Sequence, residues 1–245
     1  MIKPIRTGVK KFFAALALLS LEVIVVLIMF VIAFFVFIQV ARMVFLSDKR
    51  EIDKAAFNFL GEHISDMNSN VMQFFTFLGT HTFLIPANII LISYFLFIRK
   101  HRWYSIKIPV VSISSVLLMY ILKNFFQRPR PLSPLLKEAK GLSFPSGHAL
   151  NSVAFYGLLI YLVWRNVKNA KLRWLLITGL CVIIFMIGLS RVYLRVHYIS
   201  DVLAGYAVGF MWLILSIWLL KKMENYSRKK VTPVIEKPGQ IARQP

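Results

Sequence analysis

Three short stretches of the chain carry residue types whose spacing suits chemistry on an anion. They are Lys123 with Arg130, the run Pro145-Ser146-Gly147-His148, and Arg191 with His197 and Asp201. Arg offers a planar fork that matches phosphate oxygens two at a time, and Lys adds a compact charge. A Ser-Gly-His run that opens an apolar helix has two readings. It is a serine cap, or it is an anion site built on the unpaired amides of a helix start. His197 and Asp201 stand four apart, so on a helix they share one face. That spacing lets a carboxylate hold one imidazole N–H and leave the other nitrogen free to attack. The same pair is also compatible with a structural ion pair or with two metal ligands. Metal binding is disfavoured because the neighbours are Lys and Arg rather than further carboxylates or Cys. Alone, the Arg128-Pro129-Arg130-Pro131 run is an ordinary interfacial loop.

The elements that must position these groups are apolar. Of the 245 residues 58% are hydrophobic, a share that a soluble domain rarely reaches, and 21 are Phe. The apolar residues fall in blocks at 21–46, 82–98, 107–126, 150–164, 174–190 and 202–220. Several blocks reach the roughly 17–25 residues a membrane helix needs, which predicts an all-α polytopic membrane protein with six transmembrane helices. The block 150–164 is the shortest. The first block continues far beyond a signal-peptide core and reads as an uncleaved span, with Glu22 at the headgroup level. Segment 47–70 is mixed in charge, and its Ile52, Ala56, Leu60 and Ile64 recur every four residues, as on an amphipathic helix lying in the first outer loop. Cys181 lies in the fifth block and reads as a small buried apolar residue. Gly205 and Gly209 form a G-x-x-x-G that lets a neighbouring helix approach closely. The domain division is a membrane-embedded unit, 1–220, and a basic, disordered cytoplasmic tail, 221–245.

A net charge of +20 invites a nucleic-acid reading, but its distribution argues against one. With the amino terminus inside, segments 1–11, 99–107, 165–173 and 221–245 face the cytoplasm. They hold 19 of the 30 Lys and Arg, against two acids, Glu224 and Glu236. This is the positive-inside bias at every turn. It places both termini in the cytoplasm and segments 123–131, 142–149 and 190–201 together on the outer face. Lys123, Arg128, Arg130, Arg191 and Arg195 run against that bias, so a function must retain them there.

Together the three stretches resemble the type-2 phosphatidic acid phosphatase superfamily, whose motifs are K-x6-R-P, P-S-G-H and S-R-x5-H-x3-D. Lys123 through Arg130-Pro131 fits the first, Pro145 to His148 is the second unchanged, and Ser190-Arg191, His197 and Asp201 fit the third. The resemblance implies a lipid phosphatase of the cell membrane with its site at the outer surface. His197 is then the nucleophile, Asp201 orients it, and His148 is the general acid and then base. Lys123, Arg130, Arg191, Ser146 and the Gly147 amide hold the phosphoryl oxygens. It also implies no metal and no cofactor, with a lipid phosphate and membrane lipids as partners and no nucleic acid. Candidate substrates are undecaprenyl diphosphate, phosphatidylglycerophosphate, phosphatidic acid and the phosphates of lipid A. Lipid-to-lipid phosphotransfer by the same histidine is the rival enzyme reading, and a transporter is the non-enzyme one. A transporter favours charges at the bilayer midplane, whereas these gather at helix ends. Two positions depart from the family pattern: Arg195 stands where Gly is frequent, and Ile199 where Pro is. Arg195 then either contacts a second phosphate or snorkels to the surface.

The charge pattern makes a direct topological prediction. A cysteine placed within Lys137–Lys140 is expected to react with a membrane-impermeant thiol reagent on intact cells, and one at Asn169 to stay unlabelled. The opposite pattern inverts the topology.

Overall fold

The computed structural model describes residues 21–46, 51–132, 134–135 and 141–227. The amino-terminal basic segment, the side chain of Glu22, the loop at Lys137–Lys140 and the tail past Ser227 lie outside the described residues. Among the described residues eight α-helices follow one another: α1 Leu21–Phe45, α2 Glu51–Gly61, α3 Asp66–Leu78, α4 His81–Ser93, α5 Arg102–Phe126, α6 Gly147–Asn166, α7 Ala170–Tyr193 and α8 Ile199–Tyr226. A wider π turn at Tyr94–Ile98 prolongs α4. No strand occurs among the described residues. Six helices among the described residues are long and apolar enough to cross a membrane: Val23–Phe45, His81–Ile98, Arg102–Phe126, Gly147–Asn166, Ala170–Tyr193 and Ile199–Tyr226. The chain is a multi-pass membrane protein.

The shortest apolar block becomes the centre of the bundle. Helix α6 runs for 20 residues and packs on α5, α7 and α8. A helix screened from lipid by its neighbours can start with Gly147-His148 and end with Arg165-Asn166, which explains why hydropathy alone understates its length. By contrast α1 touches mainly α8 and turns residues such as Val31, Phe35 and Ile32 to lipid. Cys181 also faces outward from α7, so it is lipid-exposed and not the buried residue that its position in the block suggests.

The G-x-x-x-G stretch is where α8 meets α6. A Cβ at Gly205 would come within 2.6 Å of the Ser146 carbonyl oxygen, and one at Gly209 within 2.7 Å of that of Leu150. Helix α8 also extends to Tyr226, six residues beyond the end of its apolar block. Lys107, almost wholly buried, binds Glu224 at 2.7 Å, and that pair keeps the polar end helical.

Segment 47–70 does contain the amphipathic helix, as α2, but its buried face differs from the four-residue repeat. Ala56, Phe57 and Leu60 pack on Ala149, Val192 and Val202, while Ile52 and Ile64 are exposed. Asp53 points inward and is 2% exposed. A bend at Glu62–Ser65 separates α2 from α3, whose start Ser65 caps through the Asn68 amide. Charge pairing, and not apolar periodicity, sets the orientation of α2.

Gly209→Ala is expected to destabilise the bundle by about 1–3 kcal/mol, because the obstacle is backbone that cannot step aside. Thermal unfolding of the detergent-solubilised variant measures this as a lower midpoint. An unchanged midpoint contradicts the close α6–α8 contact.

Candidate active site

Antiparallel alternation brings four helix ends to one level. The last turns of α5 and α7 carry Lys123 and Arg191, and the first turns of α6 and α8 carry Gly147-His148 and Asp201. Cations at helix C-termini and open amides at N-termini both suit the helix dipoles. The motif residues of all three stretches therefore gather in one place.

His197 and Asp201 are deeply buried, at 1% and 0% exposure. Imidazole Nδ1 lies 3.2 Å from Asp201 Oδ2. A carboxylate only accepts, so Nδ1 carries the proton and Nε2 keeps its lone pair. Arg130 Nη1 donates toward Nε2 at 3.3 Å and also to the Val196 carbonyl at 2.9 Å. Burial, and then the guanidiniums of Arg191 and Arg130, hold His197 well below the ordinary imidazole pKa. The ring is thus neutral, and its Nε2 is unprotonated with only the long Arg130 contact on it, as a nucleophile requires.

The surrounding groups are each fixed by the fold. Lys123 Nζ donates to the Leu142 carbonyl, and Arg130 Nε donates to that of Gly141 at 3.2 Å, so both cations also shape the loop before α6. Phe144 is fully buried among Phe37, Phe45 and Phe126 and pins that loop to α1 and α5. Ser146 is the N-cap of α6, its Oγ accepting from Ala149 N, while its own amide donates to the Asp201 carbonyl at 2.9 Å. The cap reading and the anion reading coexist, because capping by Ser146 leaves the Gly147 and His148 amides without helical partners. Arg191 Nη1 donates to Thr76 Oγ1 at 2.6 Å, and its Nε is buried without a partner. His148 Nε2 is likewise buried without a partner. Among the described residues no three His, Cys, Asp or Glu side chains cluster as metal ligands.

A cavity of about 690 Å³ opens onto this cluster. Lys123, Arg130, Gly147, His148 and His197 line the end beside the cluster, whereas Asp201, Ser146 and Arg191 are not on its wall. From there the cavity descends between α4 and α5 to Pro109, fourteen residues below Lys123, or about 21 Å along the helix. Its walls are chiefly apolar, and the residues at its mouth, including Ile89 and Ile113, face lipid. Polar groups interrupt the wall: Ser112 donates to Asn88 at 2.7 Å and Ser115 to Asn151 at 3.2 Å.

Four participants escaped the motif spacing. Arg128 is 7% exposed and donates to Asp201 Oδ1 at 2.6 Å, to Ser200 Oγ at 2.7 Å and to Asp53 Oδ2 at 2.8 Å. Thr76, Ser200 and Asp53 lie in stretches with no local signature. The misplaced charge of Arg128 on the outer side was the one available sign. The two departures from the family pattern have local explanations. Arg195 has φ of 54°, the left-handed region that favours Gly, and its guanidinium lies against Gly61 and not on the cavity wall. Ile199 is the first residue of α8 after the cap Tyr198, the position where Pro is preferred.

Comparison with known proteins agrees with this arrangement. The signature of the PAP2 superfamily matches residues 104–224, a span that contains all three motifs. Phosphatidylglycerophosphatase B of Bacillus subtilis (strain 168) is 33% identical over 166 residues, covering 66% of this chain and 79% of that protein. Undecaprenyl-diphosphatase BcrC of the same strain is 27% identical over 166 residues, covering 64% and 76% respectively. The crystal structure of the transmembrane PAP2 type phosphatidylglycerolphosphate phosphatase from Bacillus subtilis superposes with a TM-score of 0.72 at 28% identity. It covers 79% of this chain and 96% of that one.

Proposed function

The chain belongs to the PAP2 superfamily, and from that premise we propose that it hydrolyses a phosphate ester or diphosphate of a membrane lipid through a phosphohistidine on His197. In the first step the Nε2 lone pair attacks phosphorus, forming P–N as the P–O bond to the lipid breaks. His148 Nε2 gives the departing oxygen its proton. In the second step His148 takes a proton from water, the water oxygen attacks phosphorus, and the P–N bond breaks to release inorganic phosphate. Asp201 holds Nδ1–H throughout and stabilises the charge that the ring acquires. Lys123, Arg130, Arg191 and the Gly147 amide offset the charge on the phosphoryl oxygens, the larger part of catalysis for such a transfer. Ser146 supports this cradle as the cap of α6.

The observation that carries the reading is the cavity itself. It joins a lipid-facing slot between α4 and α5 to the unprotonated nitrogen of His197, with the cations only at that end. A lipid can enter sideways, tail along the apolar wall and phosphate among the cations. The Asn88–Ser112 and Asn151–Ser115 pairs in the wall favour a glycerolipid, whose ester groups follow its phosphate, over a polyprenyl diphosphate, which is hydrocarbon beyond its phosphates. Phosphatidylglycerophosphate and phosphatidic acid therefore rank ahead of undecaprenyl diphosphate and the lipid A phosphates. The positive-inside pattern puts this site at the periplasmic or exterior face of the cell membrane, with both termini inside.

Phosphate release from a panel of these four lipids, by purified protein in detergent with and without excess EDTA, tests the proposal. The expected result is fastest release from a glycerolipid monoester, unaltered by EDTA. His197→Ala is expected to lose about 10³-fold or more in kcat while folding normally. A strict divalent-metal requirement, or substantial turnover by the His197 variant, contradicts the site as drawn. Transfer of phosphate to a second lipid with no free phosphate released establishes the transferase instead.

A further inference from the structure

We propose that Asp53, on the short helix α2 of the first outer loop, is a positioning residue for the catalytic pair: it clamps Arg128 and, through Arg128, fixes the Asp201 carboxylate that orients His197. The inference rests on the assignment of His197 as nucleophile.

The contacts form a closed chain with no exposed member. Asp53 Oδ2 accepts from Arg128 Nη2 at 2.8 Å, and Arg128 Nη1 donates to Asp201 Oδ1 at 2.6 Å. Asp53 also accepts from the Ser200 amide at 3.0 Å and from Ser200 Oγ at 2.9 Å. It therefore binds the first turn of α8 directly, one residue from Asp201, while holding the guanidinium that reaches Asp201 from the side. The Tyr198 ring closes the other face of Arg128, with the guanidinium carbon 4.1 Å from the ring centroid. Asp201 Oδ2 is then left to accept from Nδ1 of His197 and from the Tyr198 amide at 3.0 Å. Both carboxylate oxygens are occupied, and the carboxylate has no freedom to rotate away from the imidazole.

Charge explains why two acids are present. With Asp201 as its only carboxylate, a buried Arg128 would neutralise the group that must stabilise a positive imidazole during attack. Asp53 balances Arg128 and leaves the charge of Asp201 available to His197. The fork geometry matters as well, because a planar guanidinium spans two carboxylates and an ammonium does not. Nothing in the local sequence of Asp53 marks it, and its place on a surface helix conceals its reach into the site.

The test uses the full chain in detergent micelles with dioctanoyl phosphatidic acid as the probe, measuring kcat, KM and the pH profile of kcat/KM. Asp53→Asn keeps the shape and removes the charge. It is expected to lower kcat about 10–100-fold, the usual effect of removing a supporting partner, with KM within about twofold. The pH profile separates positioning from folding. The charged and titratable groups around His197 are Asp201 on α8, Arg191 on α7, His148 on α6, Lys123 on α5, His81 on α4, Arg128 and Arg130 in the following loop, and Asp53 on α2. Removing the one negative charge of Asp53 makes protonation of His197 harder. The acid limb of kcat/KM should move to lower pH, on the order of half a unit. Arg128→Lys keeps the charge but not the fork, so it is expected to lower kcat about 10–100-fold with the limb unmoved. If Asp53→Asn does not yield folded protein, the lysine variant decides alone, and a kcat within twofold of the parent overturns the proposal. A normal kcat in folded Asp53→Asn, or a reduced one with an unmoved acid limb, also overturns it. His197→Ala is the control that separates the two claims. If it remains active the nucleophile assignment fails, whereas a dead control beside a normal Asp53 variant defeats this inference alone.

Discussion

A single buried carboxylate organises the end of the helix bundle that holds the site. Asp201 is wholly excluded from solvent, and its two oxygens accept from Arg128, from the Tyr198 amide and from His197. An ionised group in that position is tolerable only if every lone pair is used and opposite charge is near. Those two demands account for much of the local structure. They draw Arg128 in from the loop after α5 and recruit Asp53 from α2 to balance it, while the backbone carbonyl of Asp201 separately ties the start of α8 to the start of α6 by accepting from the Ser146 amide. Deleting one member of a buried pair usually costs about 3–5 kcal/mol, because the other is left uncompensated.

The membrane supplies the second constraint. Helices that alternate in direction present their ends in two planes only, so residues 123, 148, 191 and 197 meet although they are far apart in sequence. Within the hydrocarbon the charges have no place, and away from the cation cluster the cavity wall between α4 and α5 carries no charged residue and is chiefly apolar. A lipid phosphate is amphiphilic in the same direction as this cavity. The arrangement therefore sorts the substrate by polarity before any specific contact forms. The tight α6–α8 approach at Gly205 keeps the Ser146 carbonyl, and with it the amides of α6, against the helix that carries Asp201.

The sequence made the chemistry more legible than its support. Lys123, Arg130, His148, Arg191, His197 and Asp201 were visible because chemistry needs particular residue types at particular spacings, and all of them converge. The six spans were visible because lipid enforces a minimum apolar length. Asp53 was not, and Arg128 showed only as a charge against the positive-inside bias, since their roles depend on a contact across 75 residues that leaves no periodic trace. The four-residue apolar repeat in α2 was only partly right: Ala56 and Leu60 face the bundle, whereas Ile52 is exposed and the inward place beside it is taken by Asp53, paired with Arg128. Thr76 escaped for the same reason: a hydroxyl on an amphipathic helix is unremarkable until Arg191 is found beside it.

The central claim is that phosphate passes covalently through His197. The direct measurement is to mix purified protein with p-nitrophenyl phosphate, whose leaving group departs without a proton, quench in base, digest, and locate phosphate by mass spectrometry. His148→Ala removes the base for the second step, so phosphate should accumulate in that variant. It should sit on the peptide containing His197, resist alkali and be lost in acid, as a phosphoramidate is. Phosphate on another residue, or steady release of nitrophenol and phosphate with no phosphoenzyme in the His148 variant, would contradict the account and point to direct attack by water.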